Sequence, residues 1–138
     1  MTRALAAYPR RSTDKIRYDD TDRQGHVNNA TFSTFLETGR VEVLYDPAHP
    51  VSDVGCEFVI ARLVLEFRGE IQWPGTVSIG TGVQRIGTSS MTLEQVIEQD
   101  EACVAYAETV IVQIETTTRA ARPLSAATRE RLSALLLP

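Results

Sequence analysis

The fold of this chain is decided by the stretch YDDTDRQGHVNN, which occupies residues 18–29. Polar and apolar side chains alternate just before it, over residues 15–18, as in a short half-buried strand. Apolar residues recur at helical spacing just after it, over residues 32–44. Asp22 and Gly25 suit a turn between these two elements. The stretch therefore predicts a junction between a strand and a helix.

A helix that begins at this junction would place reactive groups beside its first turn. Asn28 is a suitable cap, and we expect the helix to end near Tyr45 because two prolines follow closely. The first N–H groups of a helix lack partners, and the helix dipole is positive at that end. Both features suit an anion or a developing oxyanion. With Asp22 and His26 close by, the junction is a candidate catalytic site.

Downstream of the helix the sequence reads mainly as strands. Odd-numbered residues are apolar over residues 58–68, and charged residues occupy the opposite face. Turn signals divide the remainder of the chain into further segments. We expect strands over residues 58–68, 77–83, 90–99 and 102–117, and a C-terminal helix over residues 123–136 capped by Ser125.

This order of elements predicts an α+β fold. A single amphipathic helix followed by an antiparallel meander can bury its apolar stripe only against the sheet. Gly39 stands in mid-helix, where it costs about 1 kcal/mol relative to Ala, and indicates a close approach of the helix to a strand. At 138 residues and 43% hydrophobic content, the chain fits one core. We expect a single domain over residues 13–138, preceded by a flexible arm over residues 1–12.

Composition argues against several classes of partner. The net charge is −4 and no run of Lys or Arg occurs, so we expect neither nucleic acid nor membrane as a partner. No apolar run is long enough to span a bilayer. Arg10-Arg11 is followed by polar residues, unlike an export signal, and we expect a cytoplasmic protein. Cys56 and Cys103 form no CxxC pair, which predicts free thiols and no metal site.

Residues 16–40 resemble the opening signature of a known family. The matching elements are Asp20-Thr21-Asp22, Gly25-His26-Val27-Asn28-Asn29, the aromatic Phe32, Glu37 and Arg40. They resemble the hotdog-fold acyl thioesterases of the 4-hydroxybenzoyl-CoA thioesterase-like type. The resemblance implies a long central helix wrapped by a curved antiparallel sheet. It also implies homodimers or homotetramers with sites at the interface, a role in lipid metabolism, and hydrolysis of an acyl-CoA or acyl-carrier-protein thioester without a cofactor.

The resemblance also implies catalytic roles. Asp22 matches the catalytic carboxylate, which would attack the thioester carbonyl or activate a water molecule. Asn29 matches the residue whose backbone N–H polarises that carbonyl. His26 would be a general base or would orient the substrate. Gln24 stands where the carrier-protein branch has Asn, which weakens transfer of a three-residue mechanism. An Asp before a helix can also serve only as a turn or cap residue.

Some of the candidate substrate-binding residues could instead have a purely structural role. Gly25 would let the substrate approach the backbone, whereas Asn28 also reads as a cap and Glu37 as the partner of Arg40 in an i,i+3 pair. Coenzyme A phosphates need cationic partners, yet the turn at residues 87–90 contains none, so a carrier-protein substrate stays open. The candidates for phosphate or substrate contact are Arg62, Arg85, Ser90 and Arg119.

Two other functions fit the same fold. A hotdog hydratase or dehydratase would need an Asp/His pair on a longer motif, which this chain lacks. A non-catalytic acyl-thioester-binding or assembly protein would not need Asp22 beside His26. Thioester hydrolysis is therefore the favoured prediction.

Overall fold

The computed structural model describes residues 3–138, in which one antiparallel sheet curves around one long helix. The described strands run in the order β1-β3-β4-β5-β2, so that β1 and β2 form the edges. This is the hotdog fold that the sequence predicts. The elements are β1 (Arg10–Lys15), α1 (Asn29–Leu44), β2 (Cys56–Phe67), β3 (Thr76–Ile86), β4 (Ser90–Gln99), β5 (Ala102–Glu115) and α2 (Ala126–Ser133), with short 3-10 helices at Leu5–Ala7 and Tyr18–Asp20.

The first strand lies earlier in the chain than predicted. We expected a strand at residues 15–18, but β1 ends at Lys15 and a 3-10 helix follows. The buried Asp20 causes this difference, because its carboxylate accepts from Arg17 N at 2.8 Å and from the Arg17 guanidinium at 3.1 Å. These bonds curl the backbone where alternation alone predicts an extended segment. The predicted end of the helix near Tyr45 is confirmed, since that residue caps α1.

The expectation of a loose arm over residues 1–12 also needs correction. Residues 10–12 belong to β1, and the residues described before them pack on the outer face of the sheet. Tyr8 is buried, with its hydroxyl donating to Glu94 at 2.7 Å. Gly80 makes room for this segment, because a Cβ there would lie 2.8 Å from the Tyr8 ring. Residues 1 and 2 lie outside the described residues.

Gly39 sets the distance between α1 and the sheet. A Cβ at this position would lie 2.8 Å from Cγ2 of Ile79 on β3 and 3.1 Å from Nε2 of Gln95 on β4. Contacts this short do not occur in packed interiors, so a larger residue would push the helix away. The close approach predicted from the sequence is confirmed.

The helix packs off-centre on the sheet. Its closest contacts are with β3, β1 and β4, and β2 stands further away. Two aromatic contacts connect α1 to β2: Phe32 packs edge-on against Phe67 at 5.0 Å, and Tyr45 against Phe58 at 6.1 Å. A groove therefore runs between α1 and β2, with one aromatic contact near each end. We call it the α1–β2 groove.

A buried network attaches α2 to the rest of the fold. Ser125 caps α2 as predicted, and both its hydroxyl and its backbone N–H donate to Asp53 in the loop before β2. Thr128 and Gln113 also donate to that carboxylate, at 2.8 and 2.9 Å. Burial alone would raise the pKa of Asp53, but these hydrogen bonds outweigh it and hold the pKa well below its usual range.

Asp53→Asn should therefore destabilise the protein at neutral pH by about 2 kcal/mol, the scale of hydrogen bonds to a charged group. Because the pKa is depressed in the folded state, this contribution is complete above the unfolded-state pKa of about 3.9. It is lost as the pH falls below that value. Urea unfolding measures the free energy of unfolding of the variant and of wild type at pH 7 and at pH 3. Asp100→Asn, in the turn between β4 and β5, is the control. If the free energies of unfolding of Asp53→Asn and wild type differ by the same amount at both pH values, the ionised Asp53 carboxylate is not the source of the stability.

No helix among residues 3–138 is both long enough and apolar enough to cross a bilayer.

Candidate active site

A hydrogen-bonded loop holds Asp22 just before α1. The backbone N–H of Asp22 donates to His26 O at 2.9 Å, and Gly25 N donates to Asp22 O at 3.0 Å. Gly25 has a φ of +85°, a backbone conformation that residues with a Cβ rarely adopt. The side chain of Asp22 accepts from Gln24 N through Oδ1 at 2.9 Å. Oδ1 thus belongs to the turn, whereas Oδ2 faces His26.

The start of α1 is built by Asn28 and Asp20. Asn28 Oδ1 accepts from Ala30 N at 2.9 Å, which confirms the predicted cap. Asn28 N donates to Asp20 O at 2.8 Å and so ties the cap to the 3-10 helix. Asn29 is the first helical residue, where a backbone N–H has no partner within the helix. The positive end of α1 therefore lies within the loop that carries Asp22.

His26 lies between Asp22 and Glu70. Its Nδ1 is 3.2 Å from the Val27 carbonyl oxygen and 3.9 Å from Asp22 Oδ2, and its Nε2 is 3.7 Å from Glu70 Oε1. A carbonyl oxygen only accepts, so we assign the hydrogen of a neutral imidazole to Nδ1. Nε2 then carries a free lone pair.

A cavity of about 300 Å³ adjoins these residues. His26 and Asn29 line one side, and the Phe32–Phe67 pair lines the side towards the groove. Asp22 is not among the lining residues, and it reaches the cavity through His26. The complete lining consists of His26, Val27, Asn29, Phe32, Phe67, Arg68, Gly69 and Glu70.

Sequence reasoning missed the contribution of the segment after β2. Arg68 and Glu70 line the cavity although neither belongs to the motif at residues 20–29. Arg68 pairs with Glu66 at 2.6 Å and lies over the ring of Tyr106, 5.1 Å from its centroid. No local pattern marks these residues, because they reach α1 only through the pairing of β2 with β5.

Only part of the predicted site comes together within one chain. Gly25 and Asn28 lie beside Asp22, but Glu37 is exposed two turns further along α1. Arg62 is exposed on β2 at a bulge, and Arg119 pairs with Glu57. The predicted contacts of Glu37, Arg62 and Arg119 with substrate therefore stay predictions.

Arg85 and Ser90 lie at the opposite end of the sheet. Both adjoin the turn between β3 and β4, whereas the cavity adjoins the end of β2 at Phe67. A strand as long as β3 spans about 35 Å at about 3.3 Å per residue. Neither residue can reach Asp22 of its own chain, and both could contribute to a site only from a neighbouring copy.

Among residues 3–138, no group of three or more His, Cys, Asp or Glu side chains is arranged to hold a metal ion. Cys56 and Cys103 are free and half-buried, as the sequence predicts.

Solved structures resemble this chain over almost its whole length. A Pseudomonas aeruginosa protein matches with a TM-score of 0.85 at 21% identity, covering 97% of this chain and 96% of its own, which shows the fold alone. A predicted thioesterase from Bacillus stearothermophilus has a TM-score of 0.83 and 25% identity, with coverages of 93% and 97%. A thioesterase from Thermus thermophilus, solved in complex with coenzyme A and zinc, has a TM-score of 0.80 and 28% identity, with coverages of 91% and 98%.

The family comparison covers most of the chain. The model of the thioesterase-like superfamily matches residues 16–132, which include the loop, α1 and strands β2 to β5. The chain belongs to the thioesterase-like superfamily.

Proposed function

We propose that this protein hydrolyses an acyl-CoA thioester to a free acid and a thiol. One observation carries the proposal: His26, with Asp22 next to its Nδ1, and the start of α1 lie together at a cavity open enough for a ligand. The Thermus thermophilus thioesterase, which is similar to this chain, was solved with coenzyme A. This similarity favours coenzyme A over a carrier protein as the thiol. An acyl-carrier-protein thioester is the alternative substrate.

The first step depends on His26 and Asp22. Nε2 of His26 faces the cavity and can take a proton from a water molecule as that water attacks the thioester carbonyl. Asp22, next to Nδ1, stabilises the imidazolium that forms. Direct attack by the Asp22 carboxylate would require the side chain to turn past His26, since Asp22 does not line the cavity. Water activation is therefore the favoured route.

The second step depends on the start of α1. The carbonyl oxygen becomes an oxyanion, which the Asn29 N–H and the positive end of the helix dipole stabilise. When the C–S bond breaks, the water oxygen remains on the acyl carbon and the thiolate takes the proton from His26. The products are a carboxylic acid and a thiol, and no cofactor is consumed.

Asp22→Asn should lower kcat for acyl-CoA hydrolysis by about a hundredfold, the scale expected when a proton-transfer group loses its charged partner. Thiol release from short, long, branched and aromatic acyl-CoAs measures this, with Asp19→Asn as an exposed control in the same segment. Unchanged turnover in Asp22→Asn would refute the mechanism. Hydration of 2-enoyl-CoA without thiol release would instead identify a hydratase.

His26→Ala should lower kcat by about a hundredfold or more and leave the fold intact, because only Nε2 is positioned to accept the proton. The matched control is His49→Ala, since His49 is the other histidine of the chain and is 81% exposed in a distant loop. A kcat reduced equally in both variants would show that the effect is not specific to the site.

Assembly is the remaining part of the proposal. β2 is an edge strand, and its apolar residues Ile60, Leu63 and Phe67 are 49%, 36% and 50% exposed. An unpaired edge with apolar residues is suited to pairing with another strand. A second copy paired at β2 would cover the edge and complete the site, giving a dimer or a tetramer of two dimers.

Leu63→Lys should shift the assembly towards monomer, because a charge on an edge strand opposes strand pairing. Light scattering at micromolar protein measures the mass, and Val54→Lys is the control because Val54 is 95% exposed in a loop. A fully active wild-type monomer would contradict the interface model.

A further inference from the structure

A second, smaller cavity lies between α1 and β2, further along the α1–β2 groove from the candidate active site. That cavity has a volume of about 120 Å³ and lies at the C-terminal half of α1. Its lining is mainly apolar, with Leu44, Phe58, Ile60 and Ile111 contributing side chains. Arg40 projects into it from α1 as a buried cation.

Arg40 lacks a partner suited to its charge. The residue is 6% exposed, and its one hydrogen bond within the described residues runs to Gln95 Oε1 at 3.4 Å. Glu37, which the sequence pairs with Arg40, is exposed and makes no ion pair with it among residues 3–138. Burial lowers the pKa of the guanidinium, opposed by the charge of Glu37. A buried guanidinium with five donors and one long bond is unfavourable unless another group pairs with it.

A second polar group on the same surface is also unsatisfied. The hydroxyl of Thr109 is the only buried side-chain nitrogen or oxygen atom among residues 3–138 that has no hydrogen-bond partner. Thr109 lies on β5 two residues beyond Ala107, which pairs with Gln95. Residues two apart on a strand share a face, so Thr109 and Gln95 both face α1.

Gln95 is fixed and cannot itself satisfy these groups. Its Nε2 donates to Leu36 O and to Thr81 Oγ1, both at 3.0 Å. Only Oε1 remains for Arg40. The guanidinium therefore lines an apolar cavity with too few acceptors. The Thr109 hydroxyl lies on the sheet face beneath α1 and is not part of the cavity lining.

We propose that Arg40 binds a carboxylate at the far end of the acyl chain, so that the substrate is the mono-thioester of a long dicarboxylic acid. The inference rests on the proposed thioester hydrolysis. A carboxylate has only acceptor atoms, which matches a guanidinium that has only donors, and it can bind that guanidinium through both oxygens. The apolar walls of the α1–β2 groove would contact the methylene chain between the two ends.

The geometry of α1 places both ends of such a substrate on one side. Arg40 follows Asn29 by eleven residues, which is close to three complete turns at 3.6 residues per turn. The two residues therefore share a helix face and are separated by about 16 Å at 1.5 Å per residue. An extended chain advances about 1.2 Å per bond, and the Arg side chain shortens the distance to be spanned. The acyl group should contain about 10 to 14 carbons.

Matched pairs of substrates test the proposal. Acyl-CoAs of 10, 12 and 14 carbons, ending in either a carboxylate or a methyl group, would be compared by kcat/KM. We expect wild type to favour the carboxylate-ended member by at least tenfold at one of these lengths. Arg40→Met should abolish that preference while changing the rate on the methyl-ended substrate less than threefold. Arg131→Met, on exposed α2, should leave the preference for the carboxylate-ended member unchanged.

A binding measurement separates this inference from the proposed function. Calorimetry with free dodecanedioate and dodecanoate on wild type and Arg40→Met requires no catalysis. Binding of the diacid that Arg40→Met abolishes, in a protein that hydrolyses no thioester, would overturn only the proposed hydrolysis. If wild type hydrolyses carboxylate-ended and methyl-ended acyl-CoAs equally well and binds dodecanedioate and dodecanoate equally tightly, the carboxylate site does not exist. An Arg40→Met variant that changes oligomeric mass but not selectivity would also overturn the carboxylate site, since Arg40 would then pair with a second copy.

Discussion

The contact between Gly39 and Ile79 is the constraint on which the remaining structure depends. Only a residue without a Cβ lets α1 approach β3 this closely, since an added Cβ would lie 2.8 Å from Ile79. This contact fixes the helix over β3, β1 and β4, and so leaves a groove beside β2. It also fixes where α1 begins, because the loop at residues 21–27 must connect to a helix already held by the sheet. The cavity at His26 and the buried Arg40 are consequences of the same placement.

The site combines a rigid frame with an open side. Hydrogen bonds within the loop hold the backbone of Asp22 and the cap at Asn28, so the start of α1 needs no rearrangement to receive an oxyanion. The side towards β2 is less complete, because apolar residues of that strand are exposed. Arg85 and Ser90 lie at the far end of the sheet in the same chain. A complete substrate site of the kind proposed therefore depends on assembly as well as on the fold of one chain.

The sequence predicts those features that depend on local chemistry. The cap at Asn28, the end of α1 near Tyr45 and the cap at Ser125 follow from residue type and spacing, and the structure confirms each. The position of β1 could not be predicted, because the buried contact of Asp20 with Arg17 overrides alternation. The roles of Arg68 and Glu70 in the cavity and the isolation of Arg40 depend on strand pairing and helix placement. No single segment of sequence encodes them.

A crystal structure with a stable substrate analogue would show directly whether the thioester carbonyl binds at the start of α1. In a suitable analogue of a 12-carbon ω-carboxyacyl-CoA, a methylene group replaces the thioester sulfur and the carbonyl is retained. The account predicts that the carbonyl oxygen accepts from Asn29 N within about 3 Å, the distance expected of an oxyanion donor. It also predicts that the acyl chain follows the α1–β2 groove with its carboxylate at Arg40. A carbonyl bound away from the start of α1 would contradict the account.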